Sequence, residues 1–140
     1  MFTSVAIIGR PNVGKSSLFN KLTKSRDAIV SDFPGLTKDR NYGFLNLDDN
    51  KILIIDTGGI VNESDNLKEA ISNQAWSAVE ESSFIILMLD SSENLTKDDL
   101  DIIHKLRKLN KDYVIVLNKV DKKTDSLIKN DLQKEGIHLS

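Results

Sequence analysis

Residues 9–16 read GRPNVGKS and match the pattern G-x-x-x-x-G-K-S. They follow the apolar residues 5–8 and precede a stretch with helical character, which is the context of a phosphate-binding loop. In such a loop the backbone N–H groups and the positive end of the following helix hold phosphate oxygens. We expect Lys15 to reach the β- and γ-phosphates of a nucleoside triphosphate and the Ser16 hydroxyl to bind Mg²⁺. A β-turn that happens to precede Lys-Ser is the alternative.

Residues 56–59, Asp-Thr-Gly-Gly, are a second candidate because they directly follow the apolar residues 52–55. A carboxylate at a strand end beside the phosphate loop can hold the magnesium shell, and Gly59 can bring its N–H close to a γ-phosphate. The pattern D-x-x-G also occurs in plain turns. Its position after a strand is what favours the functional interpretation.

Residues 118–121, Asn-Lys-Val-Asp, follow another apolar run. Asp121 can accept hydrogen bonds from the N1–H and N2–H₂ groups of guanine, whereas adenine would present an acceptor to it. Asn118 is expected to meet the other edge of the base or to tie this motif to the phosphate loop. The stem of Lys119 could cover the ring. The motif predicts guanine selectivity, with a solvated polar turn as the alternative.

Residues 25–41 form the longest stretch without periodicity, which is typical of a functional or mobile loop. Within it, Thr37 is the best candidate for the hydroxyl that completes a Mg²⁺ shell when a γ-phosphate is present. A plain surface loop is the competing interpretation.

The elements that must position these motifs alternate between strands and helices. Near-continuous apolar runs predict strands at 5–8, 52–55, 84–89 and 113–117, and helical patterns occupy 15–24, 66–82, 96–109 and 125–134. Strands that are apolar on both faces belong in a parallel sheet between helices. The turn at 48–50 predicts an antiparallel hairpin of 42–47 with 51–55. We therefore expect a three-layer α/β fold with a mostly parallel sheet, one antiparallel strand, and ligands at the carboxyl ends of the strands.

Length and composition narrow the function classes. A chain of 140 residues predicts one domain. Its 19 basic and 21 acidic residues leave a net charge of −2, which favours neither nucleic acid nor an anionic membrane unless a local patch provides the contact. The absence of cysteine excludes disulfides and thiolate metal sites. No apolar run approaches the roughly 18 residues of a membrane-spanning helix. We expect a cytoplasmic protein.

Taken in chain order, the motifs GRPNVGKS, PGLTKDR (34–40), DTGG and NKVD resemble those of the TrmE-Era-EngA group of bacterial GTPases. The stretches between them resemble the first G domain of the Der (EngA) family of ribosome-assembly GTPases, and the resemblance covers residues 4 to 122. It implies a Ras-like P-loop GTPase fold, GTP and GDP as ligands, Mg²⁺ as cofactor and hydrolysis of GTP to GDP and phosphate. An MnmE-like tRNA-modification GTPase is the alternative, but it resembles D-T-A-G where this chain has DTGG at 56–59.

The resemblance also implies roles for individual residues. Lys15, Thr37 and Gly59 are the expected catalytic residues, and Ser16, Thr37 and Asp56 the expected magnesium ligands. The expected nucleotide-binding residues are Gly9, Arg10, Pro11, Asn12, Val13, Gly14, Lys15, Ser16, Ser17, Asp56, Thr57, Gly58, Gly59, Ile60, Asn118, Lys119, Val120 and Asp121.

Two positions bear on the rate of hydrolysis. Ras-like enzymes carry a water-orienting glutamine where this chain has Ile60, so we expect slow hydrolysis. A nucleotide-dependent binding module without turnover is the alternative. Asn12 offers an amide oxygen that phosphate binding does not require, and it could help hold a monovalent cation where other GTPases place an arginine finger. The resemblance to potassium-stimulated relatives implies that this cation is K⁺. Local hydrogen bonding in a turn is the alternative for Asn12.

The resemblance to Der implies two tandem G domains followed by an RNA-facing domain, whereas this chain ends at Ser140. We therefore expect residues 1–140 to be the N-terminal G domain of a longer protein, without the last helix of the domain. A degenerate natural short form is the alternative. The implied partner is the large ribosomal subunit, with no membrane and no DNA.

Four other features are expected to be structural. Trp76 has helical spacing with apolar neighbours and predicts core packing. His104 and His138 are isolated. The basic residues near the end of the third helix predict a solvated face that suits the negative helix end: Lys105, Arg107, Lys108 and Lys111.

Overall fold

A computed structural model of the chain describes residues 3–10, 13–23, 41–57, 73–90, 95–118 and 133–134. These residues form a five-stranded sheet of order β2-β3-β1-β4-β5. The strands are β1 (Thr3–Ile8), β2 (Asn41–Leu47), β3 (Asn50–Asp56), β4 (Phe84–Asp90) and β5 (Tyr113–Asn118). The helices are α1 (Lys15–Leu22), α2 (Asn73–Glu81) and α3 (Lys97–Lys108), and residues 133–134 are also helical.

Strand directions follow the prediction. β1 is parallel to β3 and β4, and β4 is parallel to β5, whereas β2 is antiparallel to β3. Leu47 pairs with Asn50, so the hairpin turn is one residue shorter than the predicted 48–50. Asp48 takes a φ of 53° in this turn, which aspartate tolerates better than most residues. The predicted mostly parallel α/β sheet with one antiparallel strand is confirmed.

The apolar runs of β1, β3 and β4 are mostly buried because both faces of the sheet are covered at these strands. Along β1, Ala6 and Ile8 belong to a core with α2 and α3, whereas Val5 and Ile7 belong to a second core on which α1 packs. Ile7 and Ile8 are each 0% exposed. Burying a side chain of this size contributes roughly 1.5–3 kcal/mol relative to leaving it in water. The two cores make the three layers that were predicted.

Helix α3 has the N-terminus that its sequence predicts. The Thr96 hydroxyl accepts a hydrogen bond of 3.1 Å from the backbone N–H of Asp99, and the Asp99 carboxylate accepts one of 3.0 Å from the N–H of Thr96. This reciprocal capping box satisfies donors that a helix end leaves free. The predicted helix at 96–109 is therefore confirmed to within one residue at each end.

The other helices differ from their predicted bounds or are described only in part. Helix α1 ends at Leu22, two residues before the predicted end, because Thr23 has a non-helical backbone with φ −109° and ψ 41°. The Thr23 hydroxyl donates to the Phe19 carbonyl at 2.7 Å. For the second predicted helix, residues 66–72 lie outside the described part of the chain. Of the predicted helix at 125–134, only 133–134 are described, and they are helical.

Specific contacts join α2 to α3. Trp76 is half-buried against the core, as predicted, and the Lys105 ammonium lies 4.3 Å from the centroid of its ring. The Lys111 ammonium donates to the carbonyls of Glu80 and Ser82, both at 2.8 Å, at the end of α2. Two of the four basic residues predicted to form a solvated face therefore hold the two helices together. Among the helices of the described ranges, none is long and apolar enough to cross a membrane.

Candidate nucleotide-binding site

The predicted motifs meet at one edge of the sheet. β1, β3, β4 and β5 run in the same direction, so their carboxyl ends lie side by side. Ile7 pairs with Asp56, which places the start of the phosphate loop beside the end of β3. Asp90 pairs with Asn118 at the ends of β4 and β5. This is the arrangement in which α/β folds bind their ligands.

The phosphate loop needs glycine at both of its ends. A Cβ atom at Gly9 would lie 2.6 Å from the Met88 carbonyl oxygen, too close for any other residue. Gly14 has a φ of 104° and begins helix α1, to which it offers no side-chain cap. First-turn N–H groups have no partner within their own helix, so the N-terminus of α1, next to the loop, can supply donors for an anion.

Lys15 is held inside the loop and is 8% exposed. Its ammonium donates to the carbonyls of Gly9 at 2.6 Å and Arg10 at 2.8 Å. Burial lowers the pKa of Lys15 from 10.5 to about 8, against the smaller opposing effect of the Asp56 carboxylate. The site therefore holds a partly desolvated positive charge that an anionic ligand would stabilise.

Two hard oxygen donors lie next to the loop. The Ser16 hydroxyl, in the first turn of α1, donates to the Asp56 carboxylate at 3.2 Å, and Asp56 is 1% exposed. Hydroxyl and carboxylate oxygens are ligands that Mg²⁺ prefers, usually with waters and substrate phosphates completing the shell. The described residues contain no group of three or more histidine, cysteine or acidic side chains that could hold a metal without such help. The donor set fits magnesium bound together with phosphate.

Asn118 reaches the phosphate loop from β5. Its side-chain amide donates to the carbonyl of Val13 at 2.8 Å. Of the two expectations for this residue, the tie to the phosphate loop is the one seen. The same amide lies where a Cβ atom at Gly14 would have to be, which is a second reason for glycine at that position.

Two predicted site residues direct their side chains elsewhere. The Thr57 hydroxyl donates to the Ile7 carbonyl at 2.7 Å, a buried contact between the end of β3 and β1. The Arg10 guanidinium forms an ion pair with Asp99 at 2.8 Å, at the start of α3. Neither contact has a signal in a single sequence, because its partners are 50 and 89 residues apart. Asp90, 8% exposed at the same edge, was also not predicted.

The structure describes these predicted site residues at the phosphate loop, the start of α1 and the ends of β3 and β5: Gly9, Arg10, Val13, Gly14, Lys15, Ser16, Ser17, Asp56, Thr57 and Asn118. The other predicted site residues lie outside the part of the chain that the structure describes: Pro11, Asn12, Thr37, Gly58, Gly59, Ile60, Lys119, Val120 and Asp121.

Comparison with known proteins gives a consistent picture. Residues 4–119 match the family described as 50S ribosome-binding GTPase. The chain is 47% identical to GTPase Der of Idiomarina loihiensis over 121 residues, which are 86% of this chain and 25% of Der. The chain therefore spans about a quarter of the length of that relative.

Solved structures of Era are similar in fold. The chain matches Aquifex aeolicus Era bound to GDP and AlF₄⁻ with a TM-score of 0.72 and 34% identity, covering 97% of this chain and 48% of Era. It matches Era in complex with MgGDPNP and a segment of 16S ribosomal RNA with a TM-score of 0.73 and 33% identity, covering 96% of this chain and 48% of Era.

Proposed function

The chain belongs to the 50S ribosome-binding GTPase family, and we propose that it is a Der-type G domain that binds GTP and GDP with Mg²⁺ and hydrolyses GTP. Family membership confirms the GTPase predicted from the motifs. The identity of 47% to GTPase Der confirms the resemblance to the Der family that the sequence suggested. The observation that carries the proposal is the junction of the phosphate loop with Asn118, because it unites a phosphate site and a base motif at one edge.

The phosphate half of the site is supported by charge. Lys15 is buried between backbone carbonyls with a lowered pKa, and a β- or γ-phosphate would give its ammonium a full negative partner. The N-terminal N–H groups of α1 add donors aimed at the same region. Lys15 is therefore the residue that stabilises negative charge on the transferred phosphoryl group.

Ser16 and Asp56 are the residues that would hold Mg²⁺, since their oxygens already lie 3.2 Å apart. When bound, the ion neutralises charge on the β- and γ-phosphate oxygens. Thr37 completes this set in our proposal, on the sequence pattern alone.

The base half of the site rests on residues 118–121. Asn118 fixes the end of β5 against the phosphate loop, and Asp121 follows three positions later. We assign guanine recognition to the Asp121 carboxylate because its two acceptor oxygens match the N1–H and N2–H₂ donors of guanine.

Hydrolysis by the chain alone is slow in this account. Ile60 has no polar side-chain atom to orient the attacking water. We propose that residues 25–41 and 58–70 switch between the GTP and GDP states, because contacts of Thr37 and Gly59 with the γ-phosphate would be lost after hydrolysis. The competing function is a nucleotide-dependent binding module without turnover.

Phosphate release under multiple-turnover conditions separates these two functions. We expect slow release of phosphate from GTP by the chain, and none above background by Lys15→Ala. Nucleotide binding without any release above the Lys15→Ala background would favour the binding module.

We further propose a cytoplasmic protein whose partner is the large ribosomal subunit. The family description, 50S ribosome-binding GTPase, supports the partner. Co-sedimentation of the protein with purified 50S and 30S subunits tests this, with a non-hydrolysable GTP analogue and with GDP. We expect binding to 50S subunits that depends on the GTP analogue. Binding to 30S subunits alone would contradict it and would favour an RNA partner like that in the Era complex.

A further inference from the structure

A chain of polar contacts runs from the first turn of α3 to Lys15. One oxygen of the Asp99 carboxylate accepts from the Arg10 guanidinium at 2.8 Å, and the other accepts from the backbone N–H of Thr96 at 3.0 Å. The backbone carbonyl of Arg10 in turn accepts from the Lys15 ammonium at 2.8 Å. Arg10 thus contacts α3 through its side chain and Lys15 through its main chain.

The bond to Arg10 is additional to what α3 needs. The capping box is complete with one oxygen of Asp99 and the Thr96 hydroxyl. The second oxygen is therefore available to hold a residue of the phosphate loop. Asp99 is 1% exposed and the Arg10 side chain 18% exposed, so water screens this pair much less than a surface ion pair.

We propose that Arg10 is a positioning residue of the phosphate loop, anchored by Asp99 so that its peptide group and Lys15 are already placed to receive phosphate. This inference rests on the proposed nucleotide binding. It assigns to Arg10 a role other than phosphate contact, and it makes the Asp99 carboxylate, in the first turn of α3, a determinant of nucleotide affinity.

The pair also couples α3 to the ligand. If the Arg10–Asp99 pair favours nucleotide binding, then bound nucleotide must favour the pair by the same factor. Bound GDP therefore slows amide hydrogen exchange at the start of α3 in the unaltered chain. It does not do so in a variant without the Arg10–Asp99 pair.

Three variants separate positioning from general stability. Asp99→Asn keeps an oxygen for the Thr96 N–H but turns an amide toward Arg10, so it breaks the ion pair and retains the cap. Arg10→Ala removes the other partner. Thr96→Ala removes the hydroxyl of the cap and leaves the pair, so it is the matched control for a weakened α3.

We expect Arg10→Ala and Asp99→Asn each to weaken GDP binding in calorimetry by about tenfold, in line with the loss of a hydrogen bond between charged groups. The double variant should bind GDP no more weakly than either single variant, because each substitution removes the same Arg10–Asp99 contact. Thr96→Ala should lower the melting temperature and leave the GDP dissociation constant within about twofold. Unchanged GDP affinity in Arg10→Ala, or additive effects in the double variant, would overturn the proposal.

Hydrogen exchange in the nucleotide-free chain distinguishes this failure from failure of the proposed function. The backbone N–H of Leu18 donates to the Gly14 carbonyl at 3.1 Å and reports on the loop–helix junction. Faster exchange of the Leu18 N–H in Arg10→Ala than in Thr96→Ala would support the positioning role. That result would hold even if the unaltered chain bound no guanine nucleotide, an outcome that would refute only the proposed function. Equal exchange in the two variants would overturn the positioning role.

Discussion

The side-chain amide of Asn118 and the backbone carbonyl of Val13 form a 2.8 Å hydrogen bond between residues 105 positions apart in the chain. The bond spans β4, because β1 and β5 are not neighbours in the sheet. A base motif and a phosphate motif are thereby held in one arrangement. Preorganisation of this kind reduces the ordering cost of binding a ligand that contacts both.

Replacing Asn118 with alanine should weaken GDP binding by about tenfold and lower the melting temperature by a few degrees. The Val13 carbonyl loses its donor, which costs about 1–3 kcal/mol for a buried group. Calorimetry gives the affinity, and the fluorescence of Trp76, the one tryptophan of the chain, follows unfolding. Val114→Ala, at an exposed position of the same strand, is the control and should change neither quantity. Wild-type affinity in Asn118→Ala would show that the bond is dispensable.

The lowered pKa of Lys15 predicts that nucleotide binding takes up protons. At pH 8 about half of the Lys15 side chains in the free chain are neutral, because the pKa is about 8. Bound phosphate raises this pKa, so binding at pH 8 should take up about half a proton per nucleotide. Calorimetry in buffers of different ionisation enthalpy measures the uptake. Lys15→Arg, which stays charged, should lose it. Equal uptake in both proteins would assign the proton to another group.

The lowered pKa of Lys15 also makes the free energy of unfolding depend on pH. Between about pH 8 and 10.5 the folded chain binds fewer protons at Lys15 than the unfolded chain does. The contribution of Lys15 to the free energy of unfolding therefore increases as the pH rises through this window. Subtracting the denaturation curves of Lys15→Gln from those of the unaltered chain isolates this contribution. A contribution that decreases with pH would contradict the desolvated environment described for Lys15.

Most of the strands and the edge of the sheet where the motifs lie could be predicted from the sequence, because apolar runs and short motifs involve residues that are close together in the chain. The α3 terminus was predictable since Thr96 and Asp99 are three positions apart. The pairs Arg10 with Asp99 and Thr57 with Ile7 were not, because a single sequence has no signal for contacts between distant residues. Lys15 and Ser16 were predicted as ligand-binding residues, but their partners in the loop and at Asp56 came only from the structure.

Asn12 lies outside the described residues, and its prediction rests on the sequence alone. GTP hydrolysis by the protein should be faster in K⁺ than in equimolar Na⁺ at constant Mg²⁺, because an amide oxygen there can help hold the cation near the phosphates. Asn12→Ala should abolish the difference and leave GDP binding nearly unchanged. Equal rates in the two salts would leave catalysis to Lys15, Mg²⁺ and backbone donors.

A competition titration with GDP, ADP and XDP against a fluorescent guanine nucleotide, in the presence of Mg²⁺, tests the guanine-nucleotide site most directly. We predict that GDP competes at least about a hundredfold better than ADP, because Asp121 leaves an adenine with unpaired acceptors. In Asp121→Asn the preference should shift from GDP to XDP. The asparagine amide can donate a hydrogen bond to the C2 carbonyl of xanthine, which stands where guanine has its N2–H₂ donor. Lys15→Ala, which keeps the base motif, should lose affinity for all three nucleotides together. Equal competition by ADP and GDP, or an unchanged preference in Asp121→Asn, would contradict the assignment of this edge of the sheet to a guanine nucleotide.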